Sequence, residues 1–329
     1  MYLDTRPVSS NSLGDYYHVN GKQLEEQYRD HLSGFYEWDQ FDHAEEWILF
    51  EENLGTHLSI DETALSQGEL YTVLTNKAAK GKKGALVAMI KGTDSKKVRQ
   101  VLEKIPLCKR KKVQEVTLDM AANMEIIARF SFPDALLVTD RFHVQKLAYD
   151  ALQEMRVAYR WEAIDQENKE IELAKELRKK HVPDILPNGD TLKQLLARSR
   201  YLLFKAESKW TPSQRARAEI LFERYPALEQ AYKLVMQLGA IFQHIKDKGI
   251  AFTKLANWYD RVEKSGFKSF NTVSNSIQSH YFNILNFFIN RSTNASDESF
   301  NAKIKAFRSA FRGVRNVTFF LFRLSNIYA

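Results

Sequence analysis

The chain has 329 residues, of which 44% are hydrophobic and 27% charged, as expected for a globular protein with a substantial core. Its 48 lysine and arginine residues outnumber 41 aspartate and glutamate residues, and the net charge of +7 is compatible with a polyanionic partner without demonstrating one. The apolar runs are too short to cross a bilayer, and the amino terminus lacks a signal-peptide pattern. A single cysteine, Cys108, excludes an internal disulfide and a cysteine-based zinc site. We therefore expect a cytoplasmic protein with no membrane partner.

The amino-terminal part of the chain shows three successive patterns. Residues 1–20 are polar and lack periodicity, which predicts a loose arm. The apolar spacing over 20–35 predicts an amphipathic helix, and the aromatic residues of 35–50 predict a packed cluster.

Period-two patterns and short apolar runs follow. They predict an antiparallel meander of strands 58–63, 70–76 and 85–91, joined by turns at 66–68 and 78–84. The next predicted elements are helix 94–104, strand 113–118, helix 121–130, strand 135–139 and helix 141–161. Right-handed crossovers place the later strands parallel beside the first. The predicted fold is α/β, an RNase H-like mixed five-stranded sheet with flanking helices.

Helical patterns dominate residues 165–291. The predicted helices there are 190–205, 212–224, 228–246 and 253–264. We interpret this part as a large all-helical insertion between the last strand and a carboxy-terminal helix. The predicted division is an arm with a helical and aromatic segment (1–55), the first part of the core (56–163), the insertion (164–290) and the returning core helices (291–329).

Three aspartates accompany the predicted strands. Asp61 lies inside the first strand, whereas Asp119 and Asp140 each directly follow a later one. An aspartate after a strand often caps the next helix, so taken alone Asp119 and Asp140 fit that role as well as a functional one. Asp61 is different, because an aspartate within a strand opposes β propensity and costs desolvation unless it is paired or binds a cation.

A fourth acid, Glu298, lies in the first turn of a predicted helix with Ser296 as its N-cap. Asn301 follows on the polar face of that helix. Six basic residues against two acids (Asp297 and Glu298) surround this turn: Arg291, Lys303, Lys305, Arg308, Arg312 and Arg315. A surface helix can look this way by chance. A carboxylate heading a basic stripe nevertheless suits a metal site beside a phosphodiester backbone, where two divalent cations ~4 Å apart can promote phosphoryl transfer.

Several of these segments carry a family resemblance. The string Asp140-Arg-Phe-His143-Val-Gln-Lys-Leu resembles a hallmark of insertion-sequence transposases of the ISL-three family, a DDE group with an RNase H-like core. Further matches follow the family's order and extend from about residue 46 to the end: Ile60-Asp-Glu62, Leu118-Asp-Met, Glu298-Ser-Phe-Asn301-Ala-Lys-Ile-Lys305 and Phe311-Arg-Gly-Val-Arg-Asn316 with 319–324.

The resemblance implies roles for particular residues. Asp61, Asp119 and Glu298 match the catalytic, metal-binding triad, whereas Asp140 and His143 match an Asp-x-x-His element that accompanies it. Asn301 is expected to support the triad, and a lone histidine such as His143 is otherwise more often a core or capping residue. The implied cofactor is two Mg²⁺ ions, for which Mn²⁺ can substitute. The implied activity is cleavage of element ends and transfer of the 3′ hydroxyl strand to target DNA, by a homodimer or higher assembly in the bacterial nucleoid.

The chain also departs from the family pattern. Longer members begin with a cysteine zinc ribbon and a helix-turn-helix, which a chain with one cysteine cannot reproduce. It is similar to a compact subgroup preceded by a short separate reading frame, so a separate small DNA-recognition protein is an expected partner. Two alternatives stay open: a catalytically silent or domesticated nucleic-acid-binding protein, and an RNase H-like nuclease without strand transfer.

Overall fold

The computed structural model describes residues 2–65, 68–311 and 313–329, with the side chains of residues 296 and 297 outside the description. These residues form two compact units. The sheet unit comprises the chain up to Asp140 together with Arg291–Ala329, and the helical unit comprises Arg141–Asn290.

Within the described residues, six strands build the sheet. They are β1 (Trp47–Leu49), β2 (His57–Ala64), β3 (Leu70–Asn76), β4 (Leu86–Lys91), β5 (Glu115–Leu118) and β6 (Leu136–Thr139). Their order is β1-β4-β3-β2-β5-β6, antiparallel from β1 to β2 and parallel from β2 to β6. This arrangement confirms the predicted meander, the parallel later strands and the α/β class. The turn predicted at 66–68 lies largely outside the described residues.

The sheet has one strand more than the five predicted. Strand β1 lies within the predicted aromatic cluster, and its three residues are too few to show a period-two pattern. It pairs with β4 at the edge of the sheet. The side chain of Gln40 accepts a 2.8 Å hydrogen bond from the Leu49 N–H and donates one of 3.0 Å to the Leu49 carbonyl. A side-chain amide thus satisfies backbone groups that an edge strand otherwise exposes.

Helices make up most of the remaining structure. The α-helices are α1 (Tyr2–Thr5), α2 (Ser10–Tyr17), α3 (Gly21–Gln27), α4 (Ser95–Leu102), α5 (Leu107–Arg110), α6 (Ala122–Ser131), α7 (Arg141–Glu176), α8 (Leu192–Arg198), α9 (Pro212–Arg224), α10 (Pro226–His244), α11 (Lys248–Ser265), α12 (Lys268–Ser279), α13 (Tyr281–Asn290), α14 (Ala295–Ala310) and α15 (Val317–Tyr328). Single turns of π helix (Tyr28–Leu32) and 3₁₀ helix (Phe35–Glu37, Phe41–His43, Glu51–Asn53, Lys77–Ala79, Leu202–Phe204 and Glu207–Lys209) connect them. No helix in the described parts of the chain is both long enough and apolar enough to cross a membrane.

Helices cover both faces of the sheet. On one face, Leu58 and Ile60 of β2 pack in a core with α4 and α6. On the other, Val73 of β3 packs with Phe300 and other side chains of α14 and α15. Asp61 is the cross-strand partner of Val73, and side chains alternate along a strand, so Asp61 belongs to the face covered by α14.

The prediction of a loose arm over residues 1–20 is wrong. Two short helices form there, and the fully buried Leu3 packs with Tyr28, Phe35 and Phe319. The Arg323 guanidinium of α15 also donates hydrogen bonds to two carbonyls of the arm. A few apolar side chains anchor the arm, too few to produce a periodic signal.

The helical unit contains α7 to α13. The predicted helix 141–161 continues to Glu176 as α7, which packs against α8, α10 and α12. The predicted helix 190–205 is the shorter α8 followed by a 3₁₀ turn. The insertion boundary at residue 164 falls inside α7 and stays a prediction.

Candidate active site

Asp61 and Asp119 lie on neighbouring parallel strands. The register pairs Ser59 of β2 with Thr117 of β5, so two residues further on Asp61 is level with Asp119. Neighbouring strands are about 4.8 Å apart, and level residues on parallel strands point to the same face. Asp119 also caps the following turn, since its Oδ1 accepts a 2.8 Å hydrogen bond from the Ala121 N–H. Both aspartates are half-buried.

Asp140 extends this row to the next strand. Leu118 of β5 pairs with Thr139 of β6, which brings Asp140 level with Asp119 and one strand farther from Asp61. The Asp140 N–H donates to the Leu118 carbonyl at 2.9 Å, and the residue is only 1% exposed.

His143 belongs to the helical unit. It lies in the first turn of α7, where its ring makes an edge contact with Phe142 at 5.9 Å between centroids.

Glu62 adds a further carboxylate to this region. Burial, followed by the negative charges of Asp119 and Asp61, raises the pKa of Glu62 above its ordinary value. Negative charge therefore accumulates around Asp61, Glu62 and Asp119, and a bound cation would offset it. The sequence marked Glu62 only as part of a motif.

Glu298 lies in the first turn of α14. The helix begins at Ala295 with Asn294 in the N-cap position, so the prediction of Ser296 as N-cap is wrong. The Glu298 N–H donates to the Asn294 carbonyl at 2.9 Å, and the Glu298 side chain is exposed. Phe300 and Ile304 of the same helix are fully buried against the sheet.

A polar seam attaches α14 to β2. We define it by Asn294, Asn301 and Arg308, which are spaced by seven residues and so lie on one side of the helix. Ser59 Oγ donates to Asn294 Oδ1, Asn301 Nδ2 donates to Asp61 Oδ2 at 2.7 Å, and Arg308 Nη1 donates to the Ala64 carbonyl at 2.9 Å. Glu298 is four residues after the first of these and three before the second, which places it on the same side.

The oxygen atoms of Asp61, Asp119 and Asn301 are of the chemical types that bind divalent cations. Carboxylate and amide oxygens are the ligands that Mg²⁺ and Mn²⁺ prefer. Asn301 is 6% exposed, and among the described residues its buried Oδ1 has no hydrogen-bond partner, while its Nδ2 donates to Asp61. Within the described residues, however, no three histidine, cysteine, aspartate or glutamate side chains are grouped closely enough to hold a metal ion. The fit by ligand type therefore rests on Asp61, Asp119 and Asn301.

Of the six basic residues predicted to contact DNA, the five that the structure describes differ in what they contact. Lys303 donates to the Gly81 carbonyl at 2.7 Å and Arg308 to that of Ala64, so both hold α14 in place. Lys305 and Arg315 are exposed, and Arg291 is half-buried with a left-handed φ of 54°. Arg315 lines an open cleft that also contains Glu45, Glu69 and Lys91. Arg312 lies outside the described residues.

A buried polar cluster beneath the aspartates was not predicted. The Lys77 ammonium donates to Thr117 Oγ1 at 2.8 Å, to Glu115 Oε1 at 3.4 Å and to Ser292 Oγ. Glu115 is 1% exposed and Thr117 is fully buried. The alternation of Glu115, Thr117 and Asp119 along one strand face was the available signal, because polar residues at every second position of a buried strand need partners.

Comparison with known proteins identifies the family. A family profile of DDE transposases of the ISL-three type, described as "Transposase", matches residues 58–324. The chain is also similar to the transposase for insertion sequence element IS1001 of Bordetella parapertussis, with 23% identity over 273 residues. That alignment covers 82% of this chain and 60% of the relative, so the chain spans about three fifths of the relative's length. No solved structure matches. Because the profile covers well over half of its residues, the chain belongs to the ISL-three family of DDE transposases, a group that generally uses divalent metal ions.

Proposed function

We propose that the chain is the transposase of an insertion sequence, which cleaves the element's ends and transfers the 3′ hydroxyl strand to target DNA. One observation carries the proposal: Asp61 and Asp119 are level on adjacent parallel strands, and Asn301 bonds the helix of Glu298 directly to Asp61. The family and the IS1001 relative, itself a transposase for an insertion sequence element, support the same activity.

In this proposal, Asp61, Asp119 and Glu298 hold two Mg²⁺ ions, for which Mn²⁺ can substitute. Divalent cations held in such a site activate the attacking oxygen and stabilise the leaving oxygen of an in-line phosphoryl transfer. Asn301 orients the carboxylate of Asp61 through its Nδ2. Asp140 and His143 have supporting roles.

Binding of DNA is assigned to the basic residues around α14 other than Lys303 and Arg308, whose hydrogen bonds hold that helix in place. Lys305 and Arg315 are exposed, and Arg291 precedes the helix. Together with Arg312 they would contact phosphates and thereby position the strand at the carboxylates. We further propose a homodimer or higher assembly on DNA, with a separate small protein for recognition of the element's ends.

Substitution of each acid tests the proposal. With paired element ends and target DNA, Asp61→Asn, Asp119→Asn and Glu298→Gln should each lower metal-dependent cleavage and joining by on the order of 10³-fold while the protein stays folded. Asp184→Asn is a matched control, because Asp184 is an exposed aspartate of the helical unit. Full activity in any one of the three variants would remove that residue from the site.

A second candidate is a catalytically silent nucleic-acid-binding protein. The observation that favours it is the lack of a three-acid group among the described side chains. Such a protein would bind DNA but show no metal-dependent cleavage in the same assay. Cleavage without joining would instead identify an RNase H-like nuclease.

A further inference from the structure

The chain enters α14 through a short connection, residues 291–294, which follows the last helix of the helical unit. Arg291 begins this connection in the left-handed region, with a φ of 54° that residues other than glycine rarely adopt. The backbone therefore turns sharply just before the helix that carries Glu298. Such a conformation persists only where the surroundings hold it.

Two side-chain contacts, one buried and one part-buried, hold this connection against the sheet. The Lys77 ammonium donates to Ser292 Oγ, and Ser59 Oγ donates to Asn294 Oδ1. Ser59 is fully buried and Asn294 is 1% exposed, so water does not compete for the second contact. We call these two contacts the clasp.

The sheet side of the clasp is itself held by several hydrogen bonds. The lysine ammonium has three N–H donors, and those of Lys77 meet Ser292, Thr117 and Glu115. Thr117 of β5 is the register partner of Ser59 of β2. The clasp is therefore built on the two strands that present Asp61 and Asp119 two residues farther on.

The helix side of the clasp gives up an ordinary source of helix stability. An asparagine at the N-cap usually accepts a hydrogen bond from the N–H groups of the first turn. Within the described residues, Asn294 occupies the N-cap of α14 and makes no side-chain capping bond; its Oδ1 accepts from Ser59 instead. This exchange attaches the start of the helix to the sheet at the expense of its cap.

From these contacts we infer that Lys77, Ser59, Ser292 and Asn294 are positioning residues that fix the first turn of α14, and hence Glu298, relative to Asp61 and Asp119. They act through the backbone of the helix and do not touch the reacting atoms. The expected effect on catalysis rests on the proposed function. The attachment of the first turn of α14 to the sheet rests only on the hydrogen bonds.

The test removes the clasp and leaves the buried Lys77–Glu115 pair intact. In the double variant Ser59→Ala/Ser292→Ala, backbone amides of 295–301 should exchange with deuterium at least about 10-fold faster, because local opening is no longer opposed. At saturating DNA, turnover should fall on the order of 10-fold while KM for DNA changes less than about twofold. Ser309→Ala, at an exposed serine in the last turn of the same helix, is the matched control.

Two further variants sharpen the result. Ser292→Thr keeps the hydroxyl and should retain normal amide exchange and turnover. If the double variant does not fold, the single variant Ser292→Ala, at a half-buried position, takes its place in the same measurements. Unchanged amide exchange after removal of the clasp overturns the inference, whatever the activity of Glu298→Gln. Retained activity of Glu298→Gln overturns the proposed function and leaves the exchange result unaffected.

Discussion

The Asn301 amide donates a 2.7 Å hydrogen bond to Oδ2 of Asp61, joining residues 240 positions apart in the chain. The bond lies in a protected place, because Asn301 is 6% exposed. It orients a carboxylate on the central strand from the helix that carries Glu298. In the part of the chain that the structure describes, the buried Oδ1 of the same amide has no hydrogen-bond partner. One side chain therefore links the two elements of the candidate site and presents an oxygen beside the carboxylate.

Asn301→Ala should weaken the use of divalent metal. Without this donor, the Asp61 carboxylate is held less firmly in its orientation, and loss of such an outer contact typically lowers metal affinity or activity about 10- to 100-fold. We expect the Mg²⁺ concentration for half-maximal cleavage to rise by that factor and calorimetric Mn²⁺ binding to weaken in parallel. Asn271→Ala, at an exposed asparagine of α12, should change neither value. An unchanged metal titration for Asn301→Ala would mean that the amide acts only in packing.

Asp140→Asn should retain more activity than Asp61→Asn, by about 10-fold or more. Asp140 lies one strand beyond Asp119, and a further strand spacing of about 4.8 Å separates it from Asp61. Parallel single-turnover cleavage assays of the two variants decide the point. Equal losses of activity in the two variants would assign Asp140 to the metal site itself. Asp119 would then be a capping residue, a role that its hydrogen bond from the Ala121 N–H also supports.

The parts of the fold that could be predicted are those with a local signal. Alternating polar and apolar residues marked β2 and β3, and the parallel placement of β5 followed from crossover handedness. Strand β1 was missed because three residues carry no period, and the arm was missed because only a few apolar side chains, Leu3 among them, anchor it.

The site was predictable only where a motif named its residues. Strand order was enough to place Asp61 beside Asp119. It could not show that Ser59 contacts Asn294 or that Lys77 contacts Ser292, because the two members of each pair lie more than 200 residues apart in the chain. The same limit applies to the basic stripe. Sequence spacing cannot distinguish Lys305, which is exposed, from Arg308, which donates to a strand carbonyl.

Lys305→Gln and Arg308→Gln should therefore have different effects. Lys305 is exposed, so its loss should weaken DNA binding and reduce the slope of log K against log salt by about 1, with unfolding free energy changed by less than about 0.5 kcal/mol. Arg308→Gln should cost about 1–2 kcal/mol of stability, because the Ala64 carbonyl loses its charged donor. Fluorescence anisotropy over a salt series and urea denaturation measure the two effects. The assignment fails if Lys305→Gln leaves the salt dependence unchanged.

Asp190 should stabilise the helical unit in a pH-dependent manner. Burial acts to raise the pKa of this carboxyl, but hydrogen bonds from Arg217 and Arg198 lower it below the ordinary value of 3.8. A lowered pKa means that the fold favours the ionised form, so the stabilisation is fully present above that ordinary value and is lost as the pH falls through the lower folded pKa. Asp190→Asn removes the charged partner of two arginines and should lower the free energy of unfolding by about 2–4 kcal/mol at pH 7. Loss of a fully buried ion pair would cost more, but Arg198 is largely exposed.

Urea denaturation of the wild type and Asp190→Asn from pH 8 to pH 3, followed by tryptophan fluorescence, measures this difference. It should stay constant down to about pH 5 and narrow below pH 4, as the wild-type carboxyl becomes protonated. Asp184→Asn, at an exposed aspartate nearby in sequence, should show no difference at any pH. The difference between the wild type and Asp190→Asn could instead be the same at pH 3 and pH 7. The two arginines would then stabilise the fold through packing and through hydrogen bonds that do not depend on the charge of Asp190.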